Sequence, residues 1–116
     1  MRKLLFLVAA VALAQRPWPP PGLQCPGRTL LITDLDQANS SKINTFYDEH
    51  LAFLVPLLKS GKIISAGPTD DGRGVLIFGT KDWTEVEALM KKEPFTREGV
   101  MKVVSHTVWN ACEAAK

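Results

Sequence analysis

Apolar positions along this chain switch between a period near two and a period near 3.6, and the switches lay out its elements in order. Residues 29–35 (TLLITDL) form a short β-branched run closed by turn formers at 36–41, which predicts a strand. Ile43, Phe46, Tyr47, His50, Leu51, Leu54, Leu57 and Leu58 then recur at helical spacing, so a helix is expected, capped by Ser40 or Ser41 and stopped by Gly61. Pro56 lies inside it without an amide hydrogen to donate, and predicts a kink or an early end in the last turn. Residues 62–67 (KIISAG) and 74–79 (GVLIFG) read as two strands of a hairpin whose loop, 68–73, is rich in turn formers. Asp82 followed by Glu85 marks the start of a second helix, with Trp83, Val86, Leu89 and Met90 on one face and an interruption at Pro94. Residues 101–109 (MKVVSHTVW) predict the last strand.

Strand, helix, strand, strand, helix, strand with right-handed crossovers gives an α+β ferredoxin-like βαββαβ plait: a four-stranded antiparallel sheet in spatial order 4-1-3-2 with both helices on one face. Residues 75–78 (VLIF) are apolar in succession, so the third strand needs cover on both faces, and the helices supply only one. Two such sheets packed together as a dimeric α+β barrel, hence a homodimer, are the expected solution. A proline-rich arm folded back over the sheet is the alternative.

That arm is residues 15–28 (QRPWPPPGLQCPGR), which hold five of the eight prolines and no hydrophobic period. Before it, Arg2 and Lys3 precede an apolar run at 4–14 that ends in Ala-Leu-Ala, the pattern of a secretory signal peptide cleaved after Ala14. The run is well short of the roughly 20 residues that span a bilayer, so no permanent membrane anchor is expected. The expected organisation is therefore a signal peptide at 1–14, the arm at 15–28 and one domain at 29–112, secreted or periplasmic. Loss of the leader removes two positive charges, leaving 12 Lys and Arg against 12 Asp and Glu. A near-neutral chain without a basic cluster argues against nucleic acid as a partner. Cys25 precedes the first strand and Cys112 follows the fourth; those strands should pair, so an exported chain is expected to join them in a disulfide.

Three pieces carry a family resemblance: HLAFLVPLLKSGKIISAGPTDDGRG from His50, the apolar strand after it, and EPFTREGV from Glu93. In this order and spacing they resemble the YCII-related domain, over about residues 29–110. The resemblance implies a small ferredoxin-like protein, usually dimeric, with a pocket centred on a histidine and an aspartate of catalytic character. Relatives include enzymes that eliminate a small group from chlorinated aromatics, and the fold resembles that of muconolactone isomerases. Carried onto this chain the histidine is His50. The aspartate is Asp70 or Asp71 after Gly67-Pro68, with Asp36 at the end of the first strand as the other choice. The leader, the arm and Pro56 depart from the family pattern.

An imidazole titrating near neutrality can accept a substrate proton, while a carboxylate on its other nitrogen selects the tautomer and stabilises the cation. The expected function is proton transfer by a His-Asp pair, in an isomerase or lyase acting on a small cyclic or aromatic acid. The alternative is a non-catalytic small-ligand-binding or structural dimeric module, in which His50 is a packed helix residue and Asp70-Asp71-Gly72 only a solvated turn. No cofactor is implied, and two distant histidines with two cysteines that pair give no metal-ligand spacing. His106, in the last strand, is expected to be structural. Asn39-Ser40-Ser41 is an N-glycosylation acceptor pattern, meaningful only in a eukaryotic secretory route.

Overall fold

A computed structural model describes residues 16–116, and the expected signal peptide lies outside the described residues. The chain divides into two compact units, one running from Gly27 to Asn110 and one formed by the segments before and after it. The larger unit contains β1 (Gly27–Leu35), α1 (Ile43–Ser60), β2 (Ile63–Pro68), β3 (Arg73–Phe78), α2 (Trp83–Lys92), α3 (Pro94–Arg97) and β4 (Met101–Asn110). Its sheet is antiparallel in the order β2-β3-β1-β4, the order that the βαββαβ succession predicts. Gly27 and Arg28, expected in the arm, open β1 instead, because they pair with Asn110 and Trp109.

Alternation in β1 sets the two faces of the sheet. Thr29, Leu31 and Thr33 are buried, whereas Leu30 and Ile32 between them are only half-buried. The buried side meets the helices in a core of Leu31, Leu54, Ile63, Leu76, Phe78, Val86 and Met90. Its two threonine hydroxyls are satisfied locally: Thr29 Oγ1 donates to the carbonyl of Thr80 at 2.9 Å, and Thr33 Oγ1 meets the sulfur of Met101 at 3.8 Å.

Helix boundaries depart from expectation in two places. Ser40 and Ser41 do not cap α1. Asp36 instead accepts from the Ala38 amide at 3.0 Å and starts a six-residue 3-10 turn, Gln37–Lys42, that runs straight into α1, where Lys42 contributes no side-chain cap. Pro56 does not end the helix either; α1 continues to Ser60 and closes on Gly61, whose φ of 81° is the left-handed conformation that glycine adopts without strain. Asp82 does cap α2, accepting from the Thr84 amide at 3.0 Å.

In the smaller unit Leu23–Gln24 pairs antiparallel with Glu113–Ala114, and Cys25 is bonded to Cys112. The half-cystines stand 87 residues apart, a closure for which chain entropy gives about 4–5 kcal/mol.

One close approach in the sheet is testable. A Cβ at Gly74 would run into the hydroxyl of Thr33 on the neighbouring strand, and Thr33 is fully buried with its hydroxyl engaged on Met101. Gly74→Ala is expected to destabilise by about 1–3 kcal/mol. Adding Thr33→Ala should give a double variant that loses less than the sum of the single changes, measured by urea unfolding of all four proteins.

Candidate functional site

A buried glutamate anchors the site. Glu93 ends α2 and begins α3 at once: its backbone is extended (φ −64°, ψ 125°), as a residue before proline favours, and Pro94 takes the first helical position, where its missing amide hydrogen is no loss. The backbone amide of Glu93 donates back to the carbonyls of Leu89 and Met90. Its side chain curls over the new helix start, with Oε1 accepting from the Phe95 amide at 3.1 Å and Oε2 from the Thr96 amide and hydroxyl at 2.8 and 2.9 Å. Oε1 also meets Nδ1 of His50, which α1 carries at a position with the side chain only 14% exposed.

Glu93 itself is fully buried. Burial pushes its carboxyl up, but the bonds from His50, from the Thr96 and Phe95 amides and from the Thr96 hydroxyl outweigh that and hold it below its ordinary value of 4.5. An ionised carboxylate only accepts hydrogen bonds, so Nδ1 must be the donor. The other ring nitrogen, Nε2, has no protein partner among the described residues. The His50 ring lies flat on Phe95, with centroids 3.9 Å apart and planes 10° from parallel. Between a carboxylate on one edge and an aromatic face, the imidazole has little freedom to turn.

His50, Glu93 and Phe95 line a cavity of about 450 Å³, the size of a site for a single-ring molecule. Leu51, Leu54, Val55 and Leu58 of α1 make one apolar wall; Ala66, Gly67 and Pro68 at the end of β2, with Gly72, Arg73 and Gly74 opposite, make another. Of the stretch 58–68, Leu58, Ala66, Gly67 and Pro68 line this cavity.

The expected aspartates are elsewhere, so the carboxylate on His50 is a glutamate and not Asp70, Asp71 or Asp36. Asp36 is spent on the cap before α1, with Lys102 Nζ at 3.8 Å from its other oxygen. Asp70 and Asp71 sit in the β2–β3 loop and line a separate shallow depression with Ile32, Val75 and Ser105. Asp71 accepts from the Thr69 hydroxyl, which holds its carboxyl below the usual range. His106 does not border the cavity; it stacks on Trp83 with centroids 3.6 Å apart. Asn39 is engaged as well, its side-chain amide donating to the carbonyl of Gly99 at 3.1 Å. Sequence reasoning picked out the EPF stretch but gave Glu93 no role. A glutamate directly before a proline that breaks an amphipathic helix was the available signal, because such a residue is placed to cap the next helix start.

Among the described residues no group of three or more His, Cys, Asp or Glu side chains could hold a metal ion, and no helix is long and apolar enough to cross a membrane. Comparison with known proteins gives two findings. The profile of the YCII-related domain matches residues 28–110. The fold is similar, with a TM-score of 0.54 and 26% identity, to 5-chloro-2-hydroxyhydroquinone dehydrochlorinase (TftG) from Burkholderia phenoliruptrix AC1100, solved in complex with 2,5-dihydroxybenzoquinone; the likeness covers 77% of this chain and 93% of that one. No curated protein matches the chain significantly.

The depressed carboxyl of Glu93 has a signed consequence for stability. A group whose folded value lies below its unfolded value stabilises the fold above the unfolded value and loses that contribution as pH falls through the folded one. The melting temperature is therefore expected to drop as pH is lowered below 4.5. Glu93→Gln should be less stable at neutral pH by about 3 kcal/mol, as for a broken buried pair, and should show a shallower acid decline in a thermal-melt series from about pH 6 to about pH 3.

Proposed function

The chain belongs to the YCII-related domain family, and on that premise we propose that it is a small-molecule enzyme in which His50 transfers a proton under the control of Glu93, a lyase or isomerase acting on a small cyclic or aromatic acid. The observation that carries this reading is the pairing of a buried, donor-saturated carboxylate with a histidine that lines an apolar cavity.

The division of labour follows from the geometry. Glu93, held ionised by its other donors, fixes Nδ1 as the protonated nitrogen and stabilises the imidazolium that forms when Nε2 takes a proton. Phe95 keeps the ring in plane. The apolar walls exclude water and grip a ring, so the base acts on a substrate whose acidic hydrogen is brought to Nε2. In an elimination, the electron pair of the bond to that hydrogen forms the new double bond, the leaving group departs with the pair of its own bond, and His50 returns the proton to solvent. In an isomerisation, the same proton goes back to another carbon of the ring. The dehydrochlorinase to which the fold is similar catalyses a reaction of the first kind, loss of the elements of HCl, which supports the lyase reading.

We further propose that the protein works as a homodimer outside the cytoplasm. The half-buried apolar residues Leu30, Ile32, Val75 and Ile77 share the sheet face turned away from the helices, and Trp109 adds to it at 43% exposure, so a second sheet would find an apolar surface there. The Cys25–Cys112 disulfide suits an oxidising, secreted or periplasmic compartment.

Two experiments test these readings. Incubated with 5-chloro-2-hydroxyhydroquinone, the purified protein is expected to release chloride, and His50→Gln to lower kcat by about 10²- to 10⁴-fold while remaining folded. Binding of the compound without turnover would favour the non-catalytic ligand-binding module. Ile77→Lys is expected to convert a dimer into a monomer in light scattering while the larger unit keeps its circular dichroism, and a wild-type monomer would sink the dimer proposal.

A further inference from the structure

The apolar side of α1 is wider than the core requires. With about 100° of turn per residue, Phe53 and Leu57 fall on one side of the buried Leu54, and Tyr47, Leu51, Val55 and Leu58 fall on the other. Phe53 and Leu57 pack against the core. The second stripe is left open, each of its four residues being more than a third exposed, and all four line the His50 cavity together with Gly67, Pro68 and Gly72 of the hairpin.

An exposed apolar stripe of this length marks a binding surface. The sheet-to-sheet dimer proposed above uses the face turned away from the helices, so it leaves α1 uncovered. The stripe is also one wall of a slot and not a flat surface, because the end of β2 and the start of β3 form the other wall. Such a slot suits a narrow chain better than the broad face of a second protein.

Polarity along the slot is ordered. Tyr47 and His50 bring a hydroxyl and an imidazole to one end. The remaining polar side chains are spent or turned away: Glu93 on His50 and α3, Thr33 on Met101, and Arg73 by strand alternation on the opposite face of the sheet, with Asp34. Past His50 the wall supplied by α1 is apolar as far as Leu58, a distance of about 12 Å along the helix axis.

From this order we propose that the substrate of the His50 cavity is an amphiphilic ring: its hydroxylated or otherwise acidic part lies at Tyr47 and His50, and an alkyl substituent of several carbons runs along Leu51, Val55 and Leu58. The proposal rests on the reading of the cavity as a small-molecule site and adds to the place for the ring a second place, for its tail. Burial of the tail supplies affinity, and His50 acts on the ring.

Calorimetric titration with two resorcinols that differ only in the 4-alkyl group, ethyl against hexyl, tests this on the wild-type protein and on Leu58→Asn and Val55→Thr. A fully buried methylene tightens binding about fourfold, so four more of them in a slot open on one side are expected to give the hexyl compound an advantage of at least about tenfold. Leu58→Asn should cut that hexyl-to-ethyl ratio about threefold or more. Val55→Thr, which keeps the shape and adds only a hydroxyl, should cut it by a smaller factor. Light scattering on the same variants is expected to return the wild-type molar mass, and circular dichroism the wild-type fold. A hexyl compound that binds no tighter than the ethyl one, or a ratio unchanged in both variants, overturns the tail site and leaves the ring site standing. A lower molar mass for Leu58→Asn overturns it too, assigning the stripe to a contact between copies of the chain. Binding of neither compound overturns it together with the single-ring reading of the cavity.

Discussion

A carboxylate buried without water must find its hydrogen-bond donors inside the protein, and in this chain that constraint ties three helices together. Glu93 takes two amides and a hydroxyl from α3 and a ring nitrogen from α1, while its own amide closes the end of α2. Taking a carboxylate out of water costs several kcal/mol unless its oxygens are fully engaged. The saturation seen at Glu93 is therefore the condition under which α1 and α3 can sit where they do. It also decides the chemistry next door, because a carboxylate that is held ionised leaves His50 a single tautomer.

The rest of the cavity follows from the plait. The βαβ crossover lays α1 across the sheet, so that its Tyr47-to-Leu58 side overlooks the ends of β2 and β3. There the hairpin is built from Gly67, Pro68, Gly72 and Gly74, residues too small to fill the space beneath the helix. At Gly74 the small residue has a packing reason as well, since the buried Thr33 hydroxyl occupies the place of a side chain. A hollow thus opens where large side chains are missing, with the histidine on one wall. The core of Leu31, Ile63, Phe78 and Val86 is closed on the same side of the sheet.

The α+β plait, its strand order and the pairing of Cys25 with Cys112 were legible in the chain because each rests on a local or topological rule. Period-two and period-3.6 apolar spacing gave the elements, right-handed crossovers gave their order in the sheet, and His50 stood out as a polar residue on an apolar helix face. Helix starts were less legible. Asp36, Ser40 and Ser41 are all good capping residues, and which of them caps depends on the path the chain takes out of β1, a matter of several backbone torsions. Of the two outcomes expected of Pro56, the early end does not occur: its lost hydrogen bond is tolerable near a helix end whose remaining turns are held by Leu54 and Leu57 against the core.

The acid beside His50 was beyond the reach of pattern. Asp70 and Asp71 lie 20 and 21 residues from His50 and Glu93 lies 43 away, and chain distance says nothing of which carboxylate a crossover brings round. Spacing along the chain, by itself, determined the fold class, the helix that carries the histidine and the glycine-rich hairpin below it, because these depend on interactions between near neighbours or on handedness. Only the tertiary structure decided that Glu93 rather than an aspartate faces His50. The physical reason is that a buried charge is placed by the donors that converge on it in space, and those donors come from α1 and α3, which are far apart in sequence and adjacent only in the folded plait.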